Sequence, residues 1–174
     1  IPELMRLFID IYRLDWDYAW KLTTGAFAYT NHTLLEEALE KWSVRLLSSL
    51  LPRHMQIISE INRRFLRQVA NKFPGDVERL TRMSLVTPGA HGQIRMAYLA
   101  IVSSHSVNGV AKLHTKLLKS ELVHDFHEMY PGRFNCKTNG ISQRRWILLC
   151  NPELAALISE YIGSDWIADL TKLS

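Results

Sequence analysis

Three polar clusters carry the residue types from which a binding or catalytic site could be built. Thr30-Asn31-His32-Thr33 places an imidazole, a carboxamide and two hydroxyls side by side, and Asn108-Gly109 and Asn139-Gly140 each set a carboxamide beside a residue without Cβ. Such groups donate and accept hydrogen bonds in defined directions, which is what recognition of a hydroxyl-rich ligand in a cleft requires. Asn139-Gly140 is also a turn signal, since both residues tolerate positive φ. Just beyond it, Arg144 and Arg145 offer forked donors suited to carboxylates, phosphates or carbonyls, and Trp146 opens the apolar run Trp146-Ile147-Leu148-Leu149, which is expected to be buried.

Other candidate groups read as structural. Glu36, Glu37 and Glu40 fall on one expected helix, where a charged face or cap explains them better than paired acid–base work. His124, Asp125 and His127 have part of a metal-ligand spacing, but no further ligand follows at a matching interval, so no metal is expected. There is no Gly-rich phosphate loop and no G-x-S-x-G elbow. By residue type alone, the chain offers recognition at polar turns and no self-contained catalytic engine.

The elements that would position these turns follow from periodicity and capping. Residues 2–13 read as a helix with Leu4, Leu7, Phe8 and Ile11 on one face, and Asp15 as the N-cap of a short helix carrying Trp16, Ala19, Trp20 and Thr23, the two tryptophans being core anchors. Residues 25–31 have the alternation of a short strand ending at His32. Thr33 with Glu36 then resembles a capping box opening a helix to about Leu51, with Leu35, Leu39, Trp42 and Leu46 inward. That places His32 where a strand ends and a helix begins, the usual ligand crevice of α/β folds.

Residues 53–73 show the most regular helical stripe, Ile58, Ile61, Phe65 and Val69, with Arg53, Glu60, Arg63, Arg64, Arg67 and Gln68 opposite as a solvated face. Asp76 caps a further helix, residues 83–86 read as a strand, and Thr87–Gly92 as a loop. Residues 94–104 are apolar throughout, and their alanines and length favour a buried helix. A helix from Asn108-Gly109 to about Lys119 turns Val110, Leu113 and Leu117 inward. Asn151, Pro152 and Gly163 bound a helix burying Leu154, Leu157 and Ile158, and Ser164-Asp165 starts a last one with Trp166 and Leu170.

The totals set the class. With 174 residues, 47% apolar and 22% charged, the chain can bury a real core and is not disordered. A net charge of +4 is too mild and dispersed for a nucleic-acid binder, and no apolar run reaches the ~18 residues of a membrane span. Cys136 and Cys150 are expected to be free thiols in a cytoplasmic protein. The start at Ile1-Pro2, without methionine, points to a slice of a longer chain.

The run Lys137-Thr138-Asn139-Gly140-Ile141-Ser142-Gln143-Arg144-Arg145-Trp146, continuing through Asn151-Pro152, resembles the interdomain segment of α-glucan (glycogen or starch) phosphorylases. Tyr29-Thr30-Asn31-His32-Thr33 and His105-Ser106-Val107-Asn108-Gly109-Val110-Ala111 match the same family, and the resemblance spans essentially the whole chain in order. It implies an α/β fold: a mainly helical fragment of a two-domain, Rossmann-like (glycosyltransferase type B) phosphorylase. Residues 1–138 would be the end of the N-terminal domain, and 139–174 the interdomain crossover with the first helices of the C-terminal domain.

The resemblance also implies an activity: phosphorolysis of terminal α-1,4 bonds of a glucan by inorganic phosphate, giving α-glucose 1-phosphate. The cofactor would be pyridoxal 5′-phosphate, held by a lysine that lies outside this chain, and the parent would be a homodimer acting away from membranes and nucleic acid. His32 and Asn139 would share the glucose 6-hydroxyl, Val110 would line the same pocket, Glu37 and Glu40 a side pocket, and Trp146 would stand beside the cofactor. The slice alone is expected to be inactive and to associate with itself. Gln56, Asn62 and Arg64 match a glucan storage surface of the family, but Ser59, Pro88 and Gly92 depart from it. One alternative is a non-catalytic helical interaction module derived from a phosphorylase segment, and a second is a weak anion or RNA binder through Arg53, Arg63, Arg64 and Arg67, which predicts salt-sensitive binding.

Overall fold

The regular stripe at 53–73 forms the helix it predicts. In the computed structural model, which describes residues 1–89 and 91–174, helix α4 runs Pro52–Lys72 and buries Met55, Ile57, Ile58, Ile61, Phe65 and Val69. Each of these side chains contributes about 1.5–3 kcal/mol by leaving water, so this one face outweighs any local propensity. Its centre is aromatic: Phe65 stacks on Phe126 at 5.8 Å between centroids, and Tyr98 tilts against Phe126 at 4.7 Å.

The chain divides into two compact units, Ile1–Thr138 and Asn139–Ser174. The first unit runs α1 (Pro2–Arg6), α2 (Trp16–Ala26), β1 (Ala28–Thr30), β2 (Lys41–Ser43), α3 (Val44–Leu50), α4, α5 (Val77–Met83), β3 (Gln93–Arg95), α6 (Met96–Val102), β4 (Ser106–Gly109), α7 (Lys112–Leu117), α8 (His124–Met129) and β5 (Phe134–Cys136). Strands β1, β4 and β5 form a parallel sheet in the order β1-β4-β5, with Thr30 opposite Asn108 and Asn108 opposite Asn135. Strands β2 and β3 pair antiparallel, Trp42 opposite Ile94. The fold is therefore mixed and mainly helical.

Local capping chemistry is realised where the sequence places it. Asp15 accepts from the Tyr18 amide at 3.0 Å, and Asp76 from the Arg79 amide at 2.9 Å, each satisfying an orphan donor at a helix start. Residues 94–104 do contribute a buried helix, α6, entered through β3.

Several expectations are corrected. The first helix widens into a π-helical turn over Leu7–Ile11, closed by the Tyr12 amide on the Leu7 carbonyl, which leaves Ile11 in solvent and Met5 as its fully buried residue. Helix α2 continues to Ala26, so the strand expected from Gly25 begins at Ala28. No helix opens at Thr33. The Asn31 side chain accepts from the Thr33 amide and the Thr33 hydroxyl from the Leu35 amide, both at 3.2 Å, and these local bonds compete with a helical start. A single 3-10 turn, Glu36–Ala38, and strand β2 follow, with Leu35, Trp42 and Leu46 exposed; the helix cap is Ser43, which receives the Leu46 amide.

Further along, Met83 closes α5, and the strand expected at 83–86 reduces to one bridge, Val86 to Ile94. Of the loop expected at 87–92, Ala90 lies outside the described residues. Leu113 is exposed rather than inward, because α7 starts only at Lys112, after an extended Ala111.

The second unit contains α9 (Gln143–Leu148) and α10 (Pro152–Ile162), followed by 3-10 turns over Asp165–Ile167 and Leu170–Leu173. Asn151 caps α10 through the Leu154 amide at 3.2 Å, and Gly163 ends it at φ 79°. Trp166 is the buried centre, its Nε1 donating to Ser159 Oγ at 3.1 Å. The apolar run expected to be buried is not: Trp146 is 65% and Leu149 71% exposed, and Leu154 and Leu157 face solvent as well. Thirty-six residues cannot build two faces of core, and Ala155 with Trp166 takes the one interior available. Asn139-Gly140 forms no turn, and Gly140 stays out of the positive-φ region.

Candidate functional site

The parallel sheet presents its C-terminal edge as a polar cluster. Thr30 Oγ1 donates to Asn108 Oδ1 at 2.8 Å, and the Asn31 amide donates to the Asn108 carbonyl at 2.9 Å, which ties β1 to β4 at their ends. Asn31 and Asn108 are both buried, and each carboxamide finds protein partners: Asn31 Nδ2 reaches the Tyr29 hydroxyl at 3.4 Å, and Asn108 Nδ2 the Gly109 carbonyl at 3.0 Å. Burying such groups is tolerable only because they are paired.

This rigid base positions His32. Directly after the buried Asn31, its imidazole is exposed and makes no hydrogen bond among the described residues, so it is available to a ligand. It lines a pocket of about 430 Å³ together with Tyr29, Asn31 and Glu40. Leu39, Met96 and Leu99 supply apolar wall. The Glu40 carbonyl accepts from the Met96 amide at 3.0 Å and its carboxylate accepts from Trp42 Nε1, so backbone and side chain are both held. One imidazole, one carboxylate and an apolar wall are the ingredients for holding a polyhydroxylated ring by its edge and its face.

Gly109 closes the neighbouring strand end. A Cβ there would lie 2.4 Å from Thr115 Oγ1, 2.6 Å from His114 Nδ1 and 2.9 Å from Thr115 Cα, so α7 can pack against β4 only over a residue without a side chain. His114 Nδ1 in turn accepts from the Val110 amide at 3.3 Å.

Within the first unit, the structure brings His32 and Glu40 together at one pocket. Glu37 is exposed on the 3-10 turn and does not line the pocket, and half-buried Val110 precedes α7 and does not line it either. Asn139 and Trp146 belong to the second unit, both exposed. There, Ile141, Ser142, Arg144, Arg145 and Leu149 border a separate depression, and Arg144 donates to the Ala168 carbonyl at 3.3 Å. Tyr29 lies in the Tyr29-Thr30-Asn31-His32-Thr33 run but carries no role there, and the apolar wall from α6 has no local signal, because it reaches the pocket through tertiary packing.

The other groups considered have structural partners. Asp125 receives Arg82 at 2.9 Å, and His127 packs edge-on against Phe134. Arg53 pairs with Asp10, and Arg63 and Arg64 share Glu60. Of the storage-surface residues, Asn62 is committed to the Leu85 amide and Ser84, and Gln56 to Arg53. Both cysteines are free and exposed.

The sequence as a whole has clear relatives. The carbohydrate phosphorylase family profile matches residues 1–174. The muscle forms of glycogen phosphorylase from Mus musculus and Homo sapiens are each 59% identical over 173 residues, covering 99% of this chain and 20% of the relative. The liver form from Bos taurus is 56% identical over 174 residues, again 20% of its length. The chain thus spans about a fifth of the length of the curated relatives it matches, and on a family match that runs from its first residue to its last, it belongs to the carbohydrate phosphorylases.

Proposed function

We propose that this chain contributes part of the sugar-binding pocket of an α-glucan phosphorylase that releases α-glucose 1-phosphate with inorganic phosphate. The observation that carries the reading is the exposed His32 imidazole, without a hydrogen-bond partner among the described residues, lining one pocket with Glu40 on a strand end fixed by the Thr30–Asn108 and Asn31–Asn108 bonds. A ring held there is oriented by a group that spends no hydrogen bond on the protein, so binding does not first break an internal contact. Family membership at more than half identity, with glycogen phosphorylases as relatives, supports the choice of glucan and phosphate.

In this reading residues 1–138 belong to an N-terminal Rossmann-like domain of a glycosyltransferase type B fold, and 139–174 open the C-terminal one. Asn139 is a further hydroxyl ligand, and the intact enzyme is a dimer. Glu37 and Val110 are assigned supporting positions near the pocket rather than its lining. Pyridoxal 5′-phosphate belongs to the proposed enzyme, but the residues present do not form its site. Trp146 stands exposed, and the depression bordered by Arg144 and Arg145 contains no lysine. No chemical step is therefore derived through the cofactor, and turnover by these 174 residues alone is not expected.

The test uses the intact phosphorylase carrying this segment. His32→Ala should lower kcat/KM for glucose 1-phosphate release by a factor of about 10² or more, the scale of a lost orienting contact, with unfolding temperature unchanged. Unaltered phosphorolysis would remove His32 from the site.

A further inference from the structure

A second cavity of about 390 Å³ lies elsewhere on the first unit, bordered by α2, α4, the end of α6 and the turn at Pro131–Arg133. Four arginines line it, Arg63, Arg64, Arg67 and Arg133, against one carboxylate, Asp17. The ion pairs are unevenly shared. Arg63 and Arg64 both use Glu60, and Arg64 also takes Asp17 at 2.6 Å. Arg67 has no hydrogen-bond acceptor or carboxylate among the described residues, and Arg133 has no carboxylate.

Arg133 is the more telling of the two. Its guanidinium lies 3.8 Å from the Tyr130 ring centroid and, among the described residues, donates only to the carbonyls of Val102 at 3.1 Å and Ile101 at 3.4 Å. Burial pushes its pKa below the ordinary value, as expected of a cation withdrawn from water without a counter-ion. A fixed charge in such a place is costly unless an anion meets it. Aromatic and apolar surface completes the cavity: Trp16, Trp20 and Phe65 line it, with Ile61 and Val102.

We propose that this cavity binds a small organic anion, its phosphate or carboxylate meeting Arg67 and Arg133 and its flat ring lying along half-buried Trp20, beside the Trp16 ring that the Arg64 guanidinium already covers at 4.8 Å. Arginine suits the head group, because its fork matches both oxyanions, and aromatic faces suit a ring of the size the cavity admits. The site is separate from the His32 pocket and shares no lining residue with it. The proposal does not depend on the phosphorylase reading.

Phenyl phosphate is the probe, titrated calorimetrically into the 174-residue chain, with inorganic phosphate and phenol as comparators. Saturable binding of phenyl phosphate is expected, at least about tenfold tighter than either comparator and weaker as salt rises. Arg67→Ala should weaken it about tenfold, as loss of one charge-assisted bond does, and leave thermal unfolding unchanged, because Arg67 is exposed and unpaired. Arg133→Gln should weaken it as much; should that variant fail to fold, Arg67→Ala decides. Absence of saturable binding, equal affinity for inorganic phosphate, or an Arg67→Ala variant that binds like the parent would each overturn the proposal.

Discussion

Gly109→Ala is the substitution most tightly constrained by the geometry. The new methyl would sit 2.4 Å from Thr115 Oγ1 and 2.6 Å from His114 Nδ1, distances no Cβ tolerates, and 2.9 Å from Thr115 Cα, which is backbone. The two side chains could rotate, but Thr115 is 5% exposed and packed, and Cα moves only if α7 moves. Overpacking of this kind costs about 1–3 kcal/mol, and the backbone contact puts the expectation at the upper end. For a unit of this size that is a fall of roughly 4–12 °C in unfolding temperature.

The control is Gly132→Ala, where a Cβ meets nothing within 4 Å. It should stay within about 0.5 kcal/mol of the parent or gain slightly from the lower entropy of the unfolded chain. Thr115→Ala combined with Gly109→Ala removes the hydroxyl clash but not the backbone one, so it should recover part of the loss and not all of it. Chemical denaturation of the three variants beside the parent reads all of this. If Gly109→Ala is no less stable than Gly132→Ala, the close packing of α7 on β4 is not what selects glycine there.

Three further outcomes follow from other parts of the fold. Trp166→Ala removes the fully buried centre of the second unit and should cost it about 3–5 kcal/mol, seen as loss of amide protection confined to residues 139–174. Glu60 is held at a pKa of about 2, below its usual 4.5, first by its hydrogen bond from Arg63 and then by that from Arg64. A depressed carboxylate stabilises the fold fully above about pH 4.5, and the contribution is lost as pH falls toward 2, so Glu60→Gln should flatten the pH dependence of the denaturation midpoint in that window. Trp146, Leu149, Leu157 and Tyr161 leave a large apolar area in water, so sedimentation should show concentration-dependent association that Leu149→Glu with Trp146→Lys reduces; a monomer at high concentration would refute it.

What could be read from the sequence was what depends on near neighbours. The caps at Asp15, Asp76 and Asn151 each bond an amide three residues on, and the stripe of α4 repeats within a single helix, so both are visible in a short window. Strand β2 is not: Lys41-Trp42-Ser43 becomes a strand because Arg95, Ile94 and Gln93 pair with it from a distant part of the chain. Without that partner, Leu35, Leu39, Trp42 and Leu46 share a helical period and read as one apolar face. Trp146 and Leu149 fail for a different reason. Their apolar character states that burial would be favourable, but it cannot say whether a 36-residue unit has an interior to receive them.

The same distant pairing decides the site. On a continuous helix, Glu37 and Glu40 would lie one turn apart on the same face and would serve one pocket together. The 3-10 turn ends at Ala38, Leu39 is extended, and the Glu40 carbonyl is anchored by the Met96 amide as the chain enters β2. That change of period separates the two carboxylates: Glu40 stays beside His32, and Glu37 is left on the outside of the turn. A charge placed at 40 should therefore matter to ligand binding where the same charge at 37 does not. Glu40→Gln against Glu37→Gln, titrated with a maltooligosaccharide in the intact phosphorylase, measures the difference directly. Equal losses from both variants would mean that the chain around the bound sugar is helical after all.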